Sequence, residues 1–334
     1  MTERKNRKQT SRAIEQLMVE LDLHAVLLDI GASGEPPGIW NKIASHATYI
    51  GFDPDLREIH EISDGRFEKA VIVNEAVTCD RDRDEVTFYL TKSPYCSSTL
   101  LPDADSLSDY SFADFFTVER EVKVRATTLD SVLQRLGVSQ IDWFKTDSQG
   151  TDLRLFNSLQ NEVRTRVLAV DLEPGLIDAY IGEDLFVDVH RDLMRSGFWL
   201  SDLNVFGAAR INEASFGELT SRSAKMMREN MDFIRTSPGW VEARYLRTLD
   251  WLAAHGFNRR EYALLWIFAL LDQQPGFALD LGIEYERVFG ADAVSRTMKA
   301  EPLRQIESRP LRSAASKSGL ARAARRLKRS LSSR

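Results

Sequence analysis

Two acidic residues stand where predicted strands end, about two dozen residues apart. Asp29 lies in the apolar run 26–30, which leads into the turn Gly31-Ala32-Ser33-Gly34, and Asp53 ends a second apolar run. A glycine lets the backbone bend tightly and approach a ligand without an intervening side chain. A carboxylate at the end of the second strand can accept hydrogen bonds from both hydroxyls of a ribose. The pattern is typical of a nucleotide-cofactor site.

The glycines of this turn exclude a dinucleotide fingerprint. A pyrophosphate-binding loop would carry Gly-x-Gly-x-x-Gly, whereas the turn carries Gly31 and Gly34 alone. A short glycine turn beside an acidic strand end suits a cofactor that has a ribose and a positive charge but no phosphate. S-adenosylmethionine is such a molecule. We therefore predict an S-adenosylmethionine site formed by Asp29, Gly31, Ala32, Ser33, Gly34 and Asp53. The alternative is an ordinary turn with an exposed aspartate.

A second group of reactive side chains follows on later strands. Lys145 and Asp147 are two residues apart on one predicted strand, so they share a face. Ligands of doubly wound sheets lie at the carboxyl ends of the strands. We predict that Asp147 acts as a base or orients the acceptor, and that Lys145 tunes its charge or binds substrate. Glu173, at the end of the next strand, is the second candidate base. A buried structural ion pair is the alternative for Lys145 and Asp147.

The elements that position these residues alternate along the chain. Strands are predicted at 26–30, 48–53, 70–74, 86–90, 122–126, 141–147, 167–172 and from residue 199. Helices are predicted at 13–22, 39–46, 129–136, 152–159 and 185–194. The alternation predicts an α/β fold with a doubly wound, mostly parallel, Rossmann-like sheet and an inserted β-hairpin.

The pattern changes near residue 212. Beyond it, helices are predicted at 216–234, 241–254, 259–271 and 277–288, separated by Pro and Gly. We expect four units: an N-terminal helix at 1–24, a cofactor-binding domain at 25–212, an all-helical appendage at 213–307 and a basic tail at 308–334. Tryptophans 240, 251 and 266 are expected to pack in the helical region or at an interface.

Motifs spread over residues 25–210 resemble, in order and spacing, those of the FkbM family of methyltransferases. The similar segments are Asp29-Ile30-Gly31-Ala32, Phe52-Asp53-Pro54, Asn74-Glu75-Ala76-Val77, Thr128-Leu129-Asp130, Lys145-x-Asp147-x-Gln149-Gly150-x-Asp152, Val170-Asp171-Leu172-Glu173 and Arg195-Ser196-Gly197-Phe198. The resemblance implies a class I, S-adenosylmethionine-dependent methyltransferase. It also implies that Asn74, Glu75 and Ala76 lie near the adenine.

The resemblance further implies a substrate class. It points to O-methylation of a hydroxyl, on a sugar of a surface glycan or glycolipid. One alternative is an O-methyltransferase for a small natural product such as a polyketide. The other is a non-catalytic relative that serves as a binding module for a protein partner.

Two departures from the family motifs bear on the site. Gln149 stands where the family has Glu, so it can orient a substrate by hydrogen bonds but cannot serve as a base or metal ligand. Ser33 replaces the usual Asn of the first turn, and Gly34 comes one place early. Ser98 and Thr99 belong to a loop that is expected to close over the substrate, or to be a plain surface loop.

Composition limits the other partners. The net charge is −6, yet residues 309–334 hold nine Lys or Arg and no acid, so the remainder is strongly acidic. An acidic body argues against nucleic-acid binding. Two cysteines and five scattered histidines predict no metal site.

No apolar run is long enough to span a membrane and no secretion signal is visible, so we expect a cytoplasmic protein. The tail is expected to be flexible, or to dock on a membrane inner face or a partner; a homo-oligomer is a further alternative.

Overall fold

A computed structural model describes residues 2–54, 65–222 and 234–308. The strands are β1 (Ala25–Ile30), β2 (Ala47–Phe52), β3 (Lys69–Val73), β4 (Ala76–Val77), β5 (Glu85–Thr91), β6 (Val118–Thr127), β7 (Trp143–Thr146), β8 (Ala169–Leu172), β9 (Phe198–Ala209) and β10 (Thr236–Arg247). The helices are α1 (Thr2–Glu20), α2 (Ala104–Leu107), α3 (Leu129–Leu136), α4 (Asp152–Ser158), α5 (Asn161–Arg166), α6 (Phe186–Arg195), α7 (Glu213–Arg222), α8 (Leu249–Ala254), α9 (Arg259–Leu271), α10 (Pro275–Phe289) and α11 (Ala293–Ser308).

Seven strands form the central sheet in the order β3-β2-β1-β7-β8-β10-β9. The first five strands run parallel to one another, and β10 is antiparallel to both β8 and β9. The order reverses at β1, so the carboxyl ends of β1 and β7 border a crevice of the kind in which such sheets bind ligands. The predicted doubly wound α/β fold with C-terminal helices is confirmed.

A smaller sheet stands beside this crevice. Strands β5 and β6 pair antiparallel as the predicted hairpin, and the short strand β4 joins β6 in parallel. The hairpin is followed by helix α3, whose N-cap Thr128 accepts a hydrogen bond from the backbone N–H of Ser131 and whose end is fixed by left-handed Gly137. The insertion therefore supplies a wall to the site without interrupting the main sheet.

The helix predicted at 241–254 is wrong in its first half. Residues 236–247 form strand β10, and only Leu249–Ala254 is helical. The reason lies in a period-two pattern, since Val241, Ala243 and Tyr245 are buried while Glu242 faces solvent. The central sheet therefore extends past the boundary expected near residue 212, and the division into four units stays a prediction.

The helix predicted at 39–46 is also corrected. Two short 3₁₀ helices, Gly38–Lys42 and Ala44–His46, occupy this segment. The sheet face they leave open is covered by α1 and by the C-terminal helices. The most enclosed is α9, every residue of which is buried from Glu261 onward, and the rings of Phe268 and Trp143 on β7 lie 4.8 Å apart.

The opposite sheet face packs against the crossover helices. The residues on that face include Leu28, Ile50, Phe144 and Val170, which contact apolar side chains of α3, α4 and α6. Both faces are thus covered, as a parallel sheet requires.

An ion pair joins α9 to the edge of the sheet at which β1 and β7 begin. The carboxylate of Asp142 accepts hydrogen bonds from both terminal nitrogens of Arg260, at 2.8 and 2.7 Å, and from the backbone N–H of Val26 at 2.8 Å. The Asp142 side chain is only 3% exposed. A buried carboxylate with three donors anchors the C-terminal helices to the sheet.

Two predictions fall partly or wholly outside the described residues. The helix expected at 216–234 is described as α7, which ends at Arg222, and its remainder lies outside. The basic stretch 309–334 lies outside altogether. Among the helices that are described, none is both long and apolar enough to cross a bilayer.

Candidate active site

A cavity of about 680 Å³ opens at the carboxyl ends of the parallel strands. Its volume is in the range of sites for drug-sized ligands. The structure brings together most of the residues predicted from the sequence. Those that line the cavity are Gly31, Ser33, Asp53, Glu75, Ala76, Thr99, Asp147, Gln149 and Glu173. They converge because each of five parallel strands ends one or two residues before one of them.

The other predicted residues lie around this cavity without lining it. Asn74 donates a hydrogen bond from Nδ2 to the backbone oxygen of Asp53 at 2.8 Å. Ser98 is buried and donates from Oγ to the backbone oxygen of Gln149 at 2.7 Å. Ala32 is buried, and Gly34 adopts a left-handed conformation in open space. The hydrogen bonds of Asn74 and Ser98 hold the cavity wall in place.

Gly31 is required by its contact with Asp147. Its φ is +78°, and a Cβ atom there would lie 2.3 Å from the backbone oxygen of Asp147. The backbone N–H groups of Gly31 and Ala32 both donate to the carbonyl of Phe52, at 2.9 and 3.0 Å. The backbone of the turn therefore packs closely against the ends of two neighbouring strands, which a side chain at position 31 would prevent.

Lys145 and Asp29 form an ion pair beneath the turn. Lys145 Nζ donates to Asp29 Oδ1 at 2.8 Å, and Tyr49 donates from its hydroxyl to Oδ2 at 3.0 Å. Burial opposes the charge of Lys145, but Asp29, Asp147 and Glu173 outweigh it and raise the lysine pKa. Lys145 therefore stays protonated and cannot accept a proton. The alternative of a buried ion pair between Lys145 and Asp147 is not seen, because Lys145 pairs with Asp29.

Gln149 connects Asp147 to the far wall of the cavity. Its Nε2 donates to Asp147 Oδ1 at 2.6 Å, and its Oε1 accepts from the hydroxyl of Tyr180 at 2.9 Å. A carboxylate can only accept hydrogen bonds, so Asp147 fixes which way the amide points. A glutamate at position 149 would put two carboxylates in contact. The amide therefore orients Asp147 where an acid would repel it.

Asp152 connects the ends of β7 and β8 through hydrogen bonds. It is buried and accepts hydrogen bonds from the backbone N–H of Ser148 at 2.9 Å and that of Glu173 at 2.7 Å. Burial raises its pKa to about 6, although these donors oppose the shift. The family motif has an acidic residue at this position, but the motif alone does not indicate its role. Its contacts show that it sets the spacing between Asp147 and Glu173.

Glu173 carries a proton at neutral pH. Burial raises its pKa to about 9, and the nearby carboxylates of Asp147, Asp152 and Glu242 add to the effect, while Lys145 opposes it. A protonated carboxyl group donates a hydrogen bond rather than accepting a proton. This disfavours Glu173 as the base.

Glu183 is an acid of the cavity that the sequence reasoning missed. Its Oε2 accepts a hydrogen bond from the backbone N–H of Tyr180 at 3.1 Å, and its Oε1 is buried with no partner among the described residues. Burial raises its pKa to about 7. Gly175 leaves room for it, since a Cβ atom there would lie 2.0 Å from Oε1. No motif marks residue 183, so only the fold reveals it.

The outer end of the cavity is aromatic. Phe112, Phe115 and Phe116, from the segment between β5 and β6, line it together with Trp240 of β10. Residues 236–242 of β10 pair with β9 and extend past the end of β8, where Trp240 forms an isolated bridge with Gly175. Trp240 thus lines the cavity, whereas the sequence predicted that it packs in the helical region or at an interface.

The described part of the chain holds no group of three His, Cys, Asp or Glu side chains placed to bind a metal ion. The described residues that line the cavity include five carboxylic acids, Asp53, Glu75, Asp147, Glu173 and Glu183, and no Lys, Arg or His.

Comparison with known families agrees with the motifs from Phe52 to Phe198, while the Asp29–Ala32 motif precedes the matched residues. Residues 33–198 match the family model described as the methyltransferase FkbM domain. The match ends where β9 begins, so β9, β10 and the C-terminal helices lie beyond it. No curated protein matches the chain.

Proposed function

Since this chain belongs to the FkbM family of methyltransferases, we propose that it uses S-adenosylmethionine to methylate a hydroxyl group. The observation that carries the proposal is one cavity that contains the Gly31 turn, the Asp53 strand end and Asp147. When bound, S-adenosylmethionine supplies an electrophilic methyl group on a positively charged sulfur.

The cavity residues fit this cofactor. Gly31 presents backbone with no side chain, and Asp53 offers a carboxylate for ribose hydroxyls. The acids that line the cavity beside the protonated Glu173, namely Asp53, Glu75, Asp147 and Glu183, favour a cation. A second cavity of about 440 Å³ shares Gly31 and Ser33 and is lined by Asp29 and Lys145. Charges of both signs there suit the amino and carboxylate groups of the methionine end.

We assign the base to Asp147. A hydroxyl is a poor nucleophile at neutral pH, so a positioned proton acceptor should speed its attack. Asp147 lines the cavity, its orientation is set by Gln149, and its neighbour Glu173 already carries a proton. Glu173 then donates a hydrogen bond to the acceptor. Lys145 balances the charge of Asp29 through their ion pair below the turn.

The acceptor proposed first is a sugar hydroxyl of a surface glycan or glycolipid, on the strength of the family resemblance. A small polyketide-like alcohol is the second candidate, and the aromatic end of the cavity favours it. Incubation of the full chain with labelled S-adenosylmethionine and both classes of alcohol tests the activity. No transfer and no cofactor binding would contradict the proposal and leave the role of a non-catalytic binding module.

Replacing Asp53 with Ala should weaken S-adenosylmethionine binding by more than about 100-fold. Hydrogen bonds to a charged acceptor contribute about 1.5–3 kcal/mol each, and two ribose hydroxyls would lose theirs. Calorimetric titration measures the effect. Asp280→Ala, at an exposed position of α10, is the matched control and should bind normally. Unchanged affinity in Asp53→Ala would show that the ribose lies elsewhere.

Between pH 6.5 and 9, the preference for S-adenosylmethionine over S-adenosylhomocysteine should rise by about tenfold in the wild-type protein relative to Glu173→Gln. Glu173, with a pKa of about 9, is neutral at the lower pH and becomes ionised as the pH rises, which strengthens its attraction for a cation. The sulfonium charge lowers the pKa of the amino group of S-adenosylmethionine, so the two ligands also contribute a pH dependence of their own. Glu173→Gln keeps that contribution and should lack the part that comes from Glu173. A ratio of Kd values that changes with pH to the same extent in both proteins would contradict a sulfonium beside Glu173.

A further inference from the structure

We infer that the acceptor is an uncharged alcohol whose hydroxyl-bearing end is attached to an apolar body, and that anionic acceptors are excluded. The inference rests on the proposed function and narrows its substrate. It is drawn from two features of the cavity that the cofactor does not explain: a row of aromatic rings and the sign of the charges that line it.

The aromatic row starts at the proposed base. Tyr180 hydrogen-bonds Gln149, whose amide holds Asp147. From Tyr180 the ring centroids follow one another at 5.6 Å to Phe116, 5.2 Å to Phe112 and 6.2 Å to Trp240. An acceptor whose hydroxyl reaches Asp147 therefore has this row beside it for the rest of its body.

The outer end of the row is open to solvent. Phe115 is 50% exposed, and Trp240, 36% exposed, is stacked on Phe206. Exposed aromatic rings that flank a cavity are costly to leave in water and gain free energy when a ligand covers them. A row of this kind suits a ring system or an acyl chain better than a free oligosaccharide, whose hydroxyls all need hydrogen-bond partners.

The charges of the cavity exclude anions. Asp53, Glu75, Asp147 and Glu183 line it beside the protonated Glu173, and no described lining residue is Lys, Arg or His. Lys145, the cation nearest to the base along the chain, is paired with Asp29 and lines the second cavity instead. A phosphate or carboxylate on the acceptor would meet like charges and no cation among the described lining residues, which disfavours its binding. Nucleotide sugars, uronic acids and phosphorylated lipids are therefore poor acceptors.

Three matched probes test the inference on the full chain saturated with S-adenosylhomocysteine. They are n-octyl β-D-glucoside, n-octyl β-D-glucuronide and methyl β-D-glucoside, each used below any micelle concentration, with affinity measured by calorimetry. The neutral octyl compound should bind at least about tenfold more tightly than either of the others, since it alone has both an apolar body and no charge. Equal affinity for the glucuronide, equal affinity for the methyl compound or no binding of any probe would overturn the inference.

Variants connect this binding to the aromatic row. Trp240→Ala should weaken octyl glucoside binding by about tenfold, because a large ring is removed from the wall. Ile283→Ala, which truncates an exposed apolar side chain of α10, is the control and should change nothing. Trp240→Ala that bound all three probes like the wild type would also overturn the inference.

The proposed function can fail separately. If S-adenosylhomocysteine itself does not bind at millimolar concentration, the cofactor assignment is wrong and the acceptor inference falls with it. If it binds and the probes do not discriminate, the methyltransferase proposal stands and only the acceptor class is wrong.

Discussion

Replacing Asp147 with Asn should lower the turnover number by about 10²–10⁴-fold. That is the usual contribution of a positioned proton acceptor, and an amide cannot take the proton of the acceptor hydroxyl. The loss should appear in kcat, because the amide that replaces the carboxylate can still hydrogen-bond Gln149 and keep the shape of the wall. Methyl transfer from labelled S-adenosylmethionine, followed in single turnover, measures the chemical step directly.

The controls separate chemistry from binding and folding. Cofactor affinity in Asp147→Asn should fall by less than about tenfold, since four other acids still line the cavity. Asp280→Asn makes the same change on the exposed surface of α10 and should leave kcat intact. A turnover within a few-fold of wild type in Asp147→Asn would remove Asp147 from the role of base. The next candidate would be Glu183, a cavity acid whose pKa burial raises to about 7.

Replacing Asp142 with Ala should destabilise the protein by about 3–5 kcal/mol. Removing one partner of a buried ion pair leaves the other charge without compensation. Here Arg260 would lose two hydrogen bonds, and the backbone N–H of Val26 would lose its acceptor. The free energy of unfolding, from urea titration followed by tryptophan fluorescence, measures the loss.

Two comparisons make that result specific. Asp280→Ala removes an exposed carboxylate and should cost less than about 0.5 kcal/mol. The double variant Asp142→Leu/Arg260→Met removes both charges and should recover much of the stability, because an apolar pair avoids the cost of desolvation. A single variant as stable as the wild type would show that the pair does not hold α9 to the sheet.

The sequence predicts the centre of the fold well because most residues of its strands are apolar. Strands β1, β2, β7 and β8 are largely buried, so short and mostly apolar runs mark them, and the residues that follow them line the cavity as expected. The positions of Asp53, Asp147 and Glu173 follow directly, since the carboxyl ends of parallel strands share one edge.

The prediction fails where local preferences oppose the tertiary structure. Residues 241–247 read Val-Glu-Ala-Arg-Tyr-Leu-Arg, and their Glu, Ala, Leu and Arg favour a helix. Pairing with β8 and β9 makes the segment a strand. The alternation of Val241, Ala243 and Tyr245 was the available signal. Because the strand was missed, Trp240 was assigned to a packed core.

The residues that complete the site could not be found from motifs. Glu183 and Tyr180 reach the cavity from the segment between β8 and α6, and Asp152 acts through backbone groups of two strands. Their tasks depend on which segments the fold places side by side. The pairing of Lys145 with Asp29 rather than Asp147 is of the same kind, because a strand neighbour competes with a residue two places along.

One face of the central sheet is covered by helices from distant parts of the chain, and this affects how the protein folds during translation. Helix α1 and helices α9–α11 share that face, and Thr10 donates a hydrogen bond to Glu301, 291 residues later in the chain. A nascent chain that has been translated only through β8 carries an apolar sheet face with no helix α9 to cover it. Contacts of such long range slow folding and leave intermediates prone to aggregate. We therefore expect the polypeptide to reach its native state only after translation has passed α11, and to need chaperone protection until then.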